Sequence, residues 1–310
     1  MNLSRLRSCY KRISAVVECP DQLGIVASIT NFLSSRNANI TAVDQYLAPL
    51  CGDEVHSKDG LERESHSRSS DAIKNFIMRF EFSYTDSNWT REDIESDMDE
   101  LERNLNGKVT LRYESEPLSL AILLSKSSHC ADELLYRWRT GELPCKITSI
   151  MSNHKSAETL AKAYDLPFVF VDVSRPDKSE GEILGRVVET TDLLVLARYM
   201  QILSSHFLDS YKKPIINIHH GLLPAFKGAR PYHQMYEAGV KIIGATAHYV
   251  SPQLDAGPII QQDVAPVNHR MSIAELKQVG IGLERSALVS GVKKHLENKL
   301  VRFGDRVIVF

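Results

Sequence analysis

The chain has 310 residues, 43% of them apolar and 25% charged, and its 37 basic against 39 acidic side chains leave a formal net charge of −2. Such a length admits one large domain or two ordinary ones, and an apolar fraction near the globular average can fill real cores, which excludes a disordered or collagenous chain. A near-neutral total gives no global electrostatic footprint for nucleic acid or an anionic membrane, so small polar ligands are the expected partners.

Five cysteines (Cys9, Cys19, Cys51, Cys130 and Cys145) form no CxxC pair. Their odd number and wide spacing fit neither a disulfide framework nor a zinc knuckle, which points to a reducing compartment. The basic N-terminus lacks an apolar h-region, and runs such as LLVLA stop far short of a bilayer span. A soluble, cytoplasmic protein is expected, with a trimmed organellar transit peptide left open.

In chain order, residues 12–19 (RISAVVEC) alternate and end apolar, as a half-buried strand should, and Pro20-Asp21 supplies a stop and a helix N-cap. Leu23, Ile25, Val26, Ile29, Phe32 and Leu33 follow at helical spacing, and a second strand is predicted around Ile40–Leu47. The polar stretch 51–72 predicts an exposed, mobile loop, and NFIMRFEFS (75–83) a third strand. Ile94, Met98, Leu101 and Leu105 place one apolar stripe on a helix over 91–105, and KVTLRYE (108–114) returns as a fourth strand. The order βαββαβ is the ferredoxin-like arrangement.

Beyond Pro117 the rhythm changes, and SLAILLS, KITSIMS, FVFVDV and TDLLVLA are short apolar strands separated by helix-length segments. Strands buried on both faces and spaced by helices imply a parallel α/β sheet, with a domain boundary near 115–118. Residues 272–298 predict a C-terminal helix with a structural role.

Two stretches carry chemistry. In CPDQLGIV (19–26), a carboxylate and a glycine stand at a helix start, where open N–H groups favour anionic ligand groups and Gly24 permits close approach. A capped helix packed on a sheet is the commoner outcome for such a loop taken alone. In PIINIHHGLLPAFKGARPYH (214–233), Ile215, Ile216 and Ile218 mark a strand ending at histidines. Catalytic groups in open α/β sheets collect at the carboxyl ends of strands. Asn217 and His219 are two apart and project from one face. Asp255, in the turn LDAGPII, would by itself be read as a turn former. Together the three offer an oxyanion donor, a general acid/base and a carboxylate to orient and charge the imidazole.

Residues 10–115, with CPDQLGIVASITNFLSSRNANI after a first strand, resemble an ACT domain, a module that often pairs with its own copy and binds amino acids at the interface. The resemblance makes Asp21, Gly24 and Asn39 the expected effector contacts. NIHHGLLPAFKGARPYHQ, ATAHYV and LDAGPII resemble the formyltransferase fold that uses 10-formyltetrahydrofolate, whose Asn-x-His and distant Asp match Asn217, His219 and Asp255. Arg198-Tyr199-Met200-Gln201-Ile202-Leu203 resembles that family's folate-binding stretch, where backbone groups hold the pterin. By the same likeness Arg198, Met200, Gln201, Ile202 and Leu203 are expected folate contacts, and His248 is expected to line the pocket. SKSSHCADELLYRWRTGELP, Ser152-Asn153-His154 and LARYMQILS are similar to the branch in which an ACT domain precedes the catalytic domain and water takes the formyl group, the formyltetrahydrofolate deformylases. One departure is Gly221, where the family usually places serine.

The expected protein is therefore α/β, with an N-terminal ferredoxin-like ACT domain (10–115) and a Rossmann-like formyltransferase domain (117–310) built on a mostly parallel sheet. The resemblance implies 10-formyltetrahydrofolate as substrate, no tightly bound cofactor, formate supplied to purine synthesis, and control by an amino acid, glycine or methionine, in a dimer or tetramer. The loop Ser125-Lys126-Ser127-Ser128-His129 holds no glycine to cradle an acceptor phosphate, which favours water over a nucleotide amine. A formyltransferase to a small amine, and a catalytically silent folate-binding sensor, are the alternatives. His219, His220, His233 and His248 fit no common zinc spacing, and no metal is expected. Lys227-Gly228 and Arg230 form a basic loop that suits either the glutamate tail of folate or plain solvent.

Overall fold

Alternating apolar residues build the first sheet of the structure, a computed structural model that describes residues 10–49, 74–86, 89–228 and 230–310. The stretch 51–72, Cys9 and Cys51 lie outside the described residues. The chain divides after Glu116 into two compact units.

The first unit runs β1 (Lys11–Pro20), α1 (Ile25–Ser35), β2 (Asn39–Pro49), β3 (Lys74–Tyr84), α2 (Arg91–Leu105) and β4 (Lys108–Tyr113). Its four strands are antiparallel in the order β2-β3-β1-β4. Ile13, Ala15, Val17 and Cys19 of β1 and Met78, Phe80 and Phe82 of β3 alternate onto one face, where Ile29 and Leu33 of α1 and Ile94 and Met98 of α2 cover them. α2 begins in a capping box, with Thr90 accepting from the Asp93 N–H and the Asp93 carboxylate reaching back to the Thr90 N–H. α1 begins at Gly24, whose φ of 86° is open to glycine and costly for other residues.

The second unit holds a sheet ordered β11-β10-β9-β8-β5-β6-β7. Its strands are β5 (Leu118–Leu124), β6 (Cys145–Ser152), β7 (Phe168–Phe170), β8 (Leu193–Leu196), β9 (Ile215–His219), β10 (Ile242–Tyr249) and β11 (Ile259–Pro266). β7 through β9 run parallel, and β10 and β11 add an antiparallel edge. Leu120, Ile122 and Leu124 of β5 face one core, shared with α3 (His129–Arg139) and α8 (Ile273–Leu296). Ala121 and Leu123 face the other, under α5 (Pro176–Val187) and α6 (Ser205–Tyr211). Burial on both faces is why these strands read as continuous apolar runs. The short helices α4 (Ala157–Ala163) and α7 (Pro231–Glu237) and the hairpin β12 (Leu300–Phe303) and β13 (Arg306–Val309) complete the unit. The chain winds one way from β5 to β7 and the other way from β8 to β9, so the strand order reverses between β5 and β8. Such a reversal opens a crevice beyond the carboxyl ends of the strands.

Candidate active site

β9 delivers Asn217 and His219 to its carboxyl end on the face begun by Ile215, while Ile216 and Ile218 anchor the opposite face in the core. Beyond it the chain is clamped. Thr246, fully buried on β10, donates to the Gly221 carbonyl at 2.7 Å and accepts from the Leu223 N–H at 3.1 Å. Gln262 on β11 donates to the Leu223 carbonyl at 2.8 Å. These bonds fix the loop that follows the histidine.

Asp255 arrives from the β10–β11 turn. A Cβ at Gly257 would fall 1.8 Å from the Tyr249 carbonyl oxygen, so only glycine lets this turn lie against the end of β10. Asp255 itself has φ 50°, a left-handed conformation that aspartate tolerates better than most residues. Its Oδ2 lies 3.3 Å from His219 Nδ1 and accepts from the Gly228 N–H at 3.3 Å. His219 Nε2 lies 3.0 Å from the Phe226 carbonyl oxygen.

Asn217 is oriented by His248. The His248 Nδ1–H donates to the Tyr249 carbonyl at 2.9 Å, which leaves Nε2 to accept from Asn217 Nδ2 at 3.1 Å. Burial holds the His248 imidazole below its ordinary pKa, against the opposing pull of the Tyr249 carbonyl and Asp255, so the ring stays neutral and the Tyr249 bond sets its tautomer. The second Asn217 amide hydrogen stays free for an oxygen that develops negative charge.

The stretch Arg198–Leu203 follows β8. Arg198 and Met200 have φ of 67° and 32°. Met200 is 62% and Ile202 73% exposed, Gln201 is exposed, and Leu203 is buried. Two bare apolar side chains beside the site suit a flat aromatic ligand lying over them. The Arg198 side chain points elsewhere: its Nε stands 3.4 Å from Glu284 Oε2.

Glu284 is the residue the sequence reading missed, since the C-terminal helix was expected to be structural. It is almost wholly buried on α8, accepting from Tyr232 Oη at 2.6 Å and from His129 Nε2 at 2.8 Å. Burial pushes its carboxyl up, and the His129 hydrogen bond, the Arg198 charge and the Tyr232 hydroxyl more than offset that push, leaving it below its ordinary value. The available signal was a charge on an otherwise apolar stripe, Leu276, Gly280, Glu284, Leu288 and Val292. His129, Cys130 and Glu284 are a trio whose possible metal-ligand atoms lie within 4.8 Å of one another. Both Glu284 oxygens are occupied, Arg198 brings a cation to the same carboxylate, and burial pushes the Cys130 thiol up, so His129 and Glu284 form a hydrogen-bond network with Tyr232 beside a protonated Cys130.

His220 leaves the β9 face that carries Asn217 and His219, as strand alternation requires, yet its ring stays 5.5 Å from that of His219 and 5.6 Å from that of Tyr232. Lys227 and Gly228 remain on the surface loop, and Arg230 is exposed with φ 56°. In the first unit the expected effector residues do not meet. β3 pairs Asn75 with Pro20 but Ser83 with Asn39, so Asn39 lies at the opposite end of the sheet from the loop of Asp21 and Gly24, roughly 27 Å along the strand.

An open, mostly parallel sheet that gathers an amide, an imidazole and a carboxylate beyond one strand defines an enzyme of the formyl transferase class, and the formyl transferase family model matches residues 118–292. Over nearly its full length the chain resembles a narrower group. It is 36% identical to the formyltetrahydrofolate deformylase of Bacillus subtilis over 300 residues, 95% of this chain and 92% of that protein. The crystal structure of a formyltetrahydrofolate deformylase from Pseudomonas syringae pv. tomato superposes with a TM-score of 0.83 at 34% identity, covering 97% of this chain and 94% of that one. The chain belongs to the formyltetrahydrofolate deformylase family. A glycinamide ribonucleotide transformylase from Symbiobacterium toebii superposes on only 65% of the chain, covering 98% of its own, with a TM-score of 0.61 and 27% identity.

Proposed function

We propose that the protein hydrolyses 10-formyltetrahydrofolate to formate and tetrahydrofolate, with water as the formyl acceptor. The observation that carries this reading is the meeting of Asn217, His219 and Asp255 at the end of β9, with the Asn217 amide aimed by His248. Folate lies along Arg198–Leu203, over Met200 and Ile202. With its single N–H at Nδ1 held by Asp255, neutral His219 turns an unprotonated Nε2 from the Phe226 carbonyl to the attacking water and takes the water's proton as the oxygen adds to the formyl carbon. Asn217 donates to the oxyanion of the tetrahedral intermediate. The same imidazole then protonates N10, the C–N bond breaks, and Asp255 holds the ring in place throughout. The glycine-free loop Ser125–His129 supports water over a phosphorylated amine as acceptor.

Formate release with no added acceptor tests the reaction, since a transferase would leave the formyl group on folate. Asn217→Ala should lose about 10²–10³ in kcat while folate still binds, and wild-type turnover by this variant would refute the assignment.

The first unit acts as an ACT sensor, a reading supported by its βαββαβ order and antiparallel β2-β3-β1-β4 sheet. Glycine and methionine are the effectors to test in the same assay. With Asp21 and Gly24 at one end of the sheet and Asn39 at the other, an effector touching all three would be shared between copies in a dimer or tetramer, which sedimentation can measure. The setting is cytoplasmic, with formate passing to purine synthesis; no helix among the described residues is long and apolar enough to cross a membrane.

A further inference from the structure

A cavity of about 430 Å³ opens beyond the carboxyl ends of β5 and β8, at the strand-order reversal, one histidine ring away from His219. The folate loop contributes only Arg198 and Met200 to its wall, and the mechanism above uses none of its polar groups. Among the described residues that line it, Arg198 Nε and Nη1 and His233 Nδ1 are buried without a hydrogen-bond partner. A buried donor left unpaired is costly, and a site that keeps one is shaped for something that completes it. The charges around the cavity are unbalanced. Arg198, Arg230 and Lys277 face a single carboxylate, Glu284, which is already satisfied by Tyr232 and His129. The surplus is positive, the unpartnered Arg198 nitrogens are donors, and a guanidinium fork matches a planar carboxylate.

We infer that this cavity is a binding site for a small carboxylate, and that its occupant is formate, which moves from the formyl centre past His220 into the Arg198 pocket. The inference rests on the hydrolytic reading for the identity of the ligand, but the site is defined by groups that the chemistry does not employ.

The test uses ¹³C-formate and the full chain with no folate present, followed by saturation-transfer NMR. Wild type should bind formate saturably in the millimolar range, and Arg198→Met should weaken binding at least about tenfold. Lys277→Glu, an exposed change that leaves the fold alone, should weaken it several-fold, with an effect that shrinks as salt rises. The Lys277→Glu arm keeps the test decisive if Arg198→Met fails to fold. Inorganic phosphate is the competing probe. Equal binding by wild type and Lys277→Glu, stronger binding of phosphate than of formate, or no formate binding at all would each overturn the inference. A protein that releases formate from 10-formyltetrahydrofolate yet binds none sinks this proposal alone, whereas formate binding without formate release sinks the hydrolytic reading.

Discussion

Gly280 and Gly282 lie two residues apart on α8, and the structure assigns their replacement by alanine opposite signs. At Gly282 a Cβ would meet nothing within 4 Å. Removing a helical glycine there should stabilise the protein by up to about 1 kcal/mol, the ordinary gain in helix propensity. At Gly280 the same Cβ would stand 1.9 Å from Tyr232 Oη and 2.4 Å from Cζ. The ring cannot swing into solvent, because Tyr232 is 5% exposed and its hydroxyl is held by Glu284. Overpacking of this kind costs about 1–3 kcal/mol, and breaking a hydrogen bond to a buried carboxylate costs about 1.5–3 kcal/mol more. Set against the propensity gain, Gly280→Ala should lose about 1.5–5 kcal/mol. The chain has one tryptophan in each unit, Trp89 and Trp138. Urea unfolding in a Trp89→Phe background, followed by Trp138 fluorescence, therefore reports the second unit alone. If Gly280→Ala proved as stable as Gly282→Ala, Tyr232 would not be pinned on Glu284 and the buried network would lose its structural basis.

Other consequences follow from the same site. Burial, aided by the Arg198 charge, pulls His220 from 6.5 down to about 3. Between those values the unfolded chain binds a proton that the folded chain refuses. Stability should accordingly be full above pH 6.5 and fall toward pH 3, by at most about 1.4 kcal/mol per unit from this group; His220→Gln should flatten that slope in urea unfolding between about pH 4 and 6, and an unchanged slope would remove His220 as its cause. A Cβ at Gly221 would sit 3.0 Å from His219 Nε2 and 3.3 Å from Pro231 Cβ. Gly221→Ala should push the imidazole off the Phe226 carbonyl and lower kcat by roughly tenfold, with Gly221→Ser recovering part of the loss through a hydrogen bond to Nε2; steady-state kinetics on the two variants decides it.

Much of this was legible from periodicity and spacing because the causes are local. β5 reads as a strand since both of its faces are buried, and α2 reads as a helix since Ile94, Met98, Leu101 and Leu105 repeat on one stripe. Asn217 and His219 are visible as a pair because a strand places every second side chain on one face. Other features depend on contacts between distant segments. Glu284 meets His129 across 155 residues and Tyr232 across 52, so no local pattern couples them. The separation of Asn39 from Asp21 was equally hidden, because it follows from the pairing of β1 and β2 with β3 and not from the neighbouring residues.

The pairing of β9 with β10 has a further consequence. Asn217 and His248 are direct partners in that ladder, as are His219 and Thr246. A slip of one residue would put Ile216 or Ile218 opposite His248 and turn the amide and the imidazole toward the wrong face. The ladder thus serves as a ruler for the chemistry, and a wrongly zipped sheet would be inert instead of sluggish. Turnover in this protein is therefore an all-or-none report that two strands have found their proper alignment.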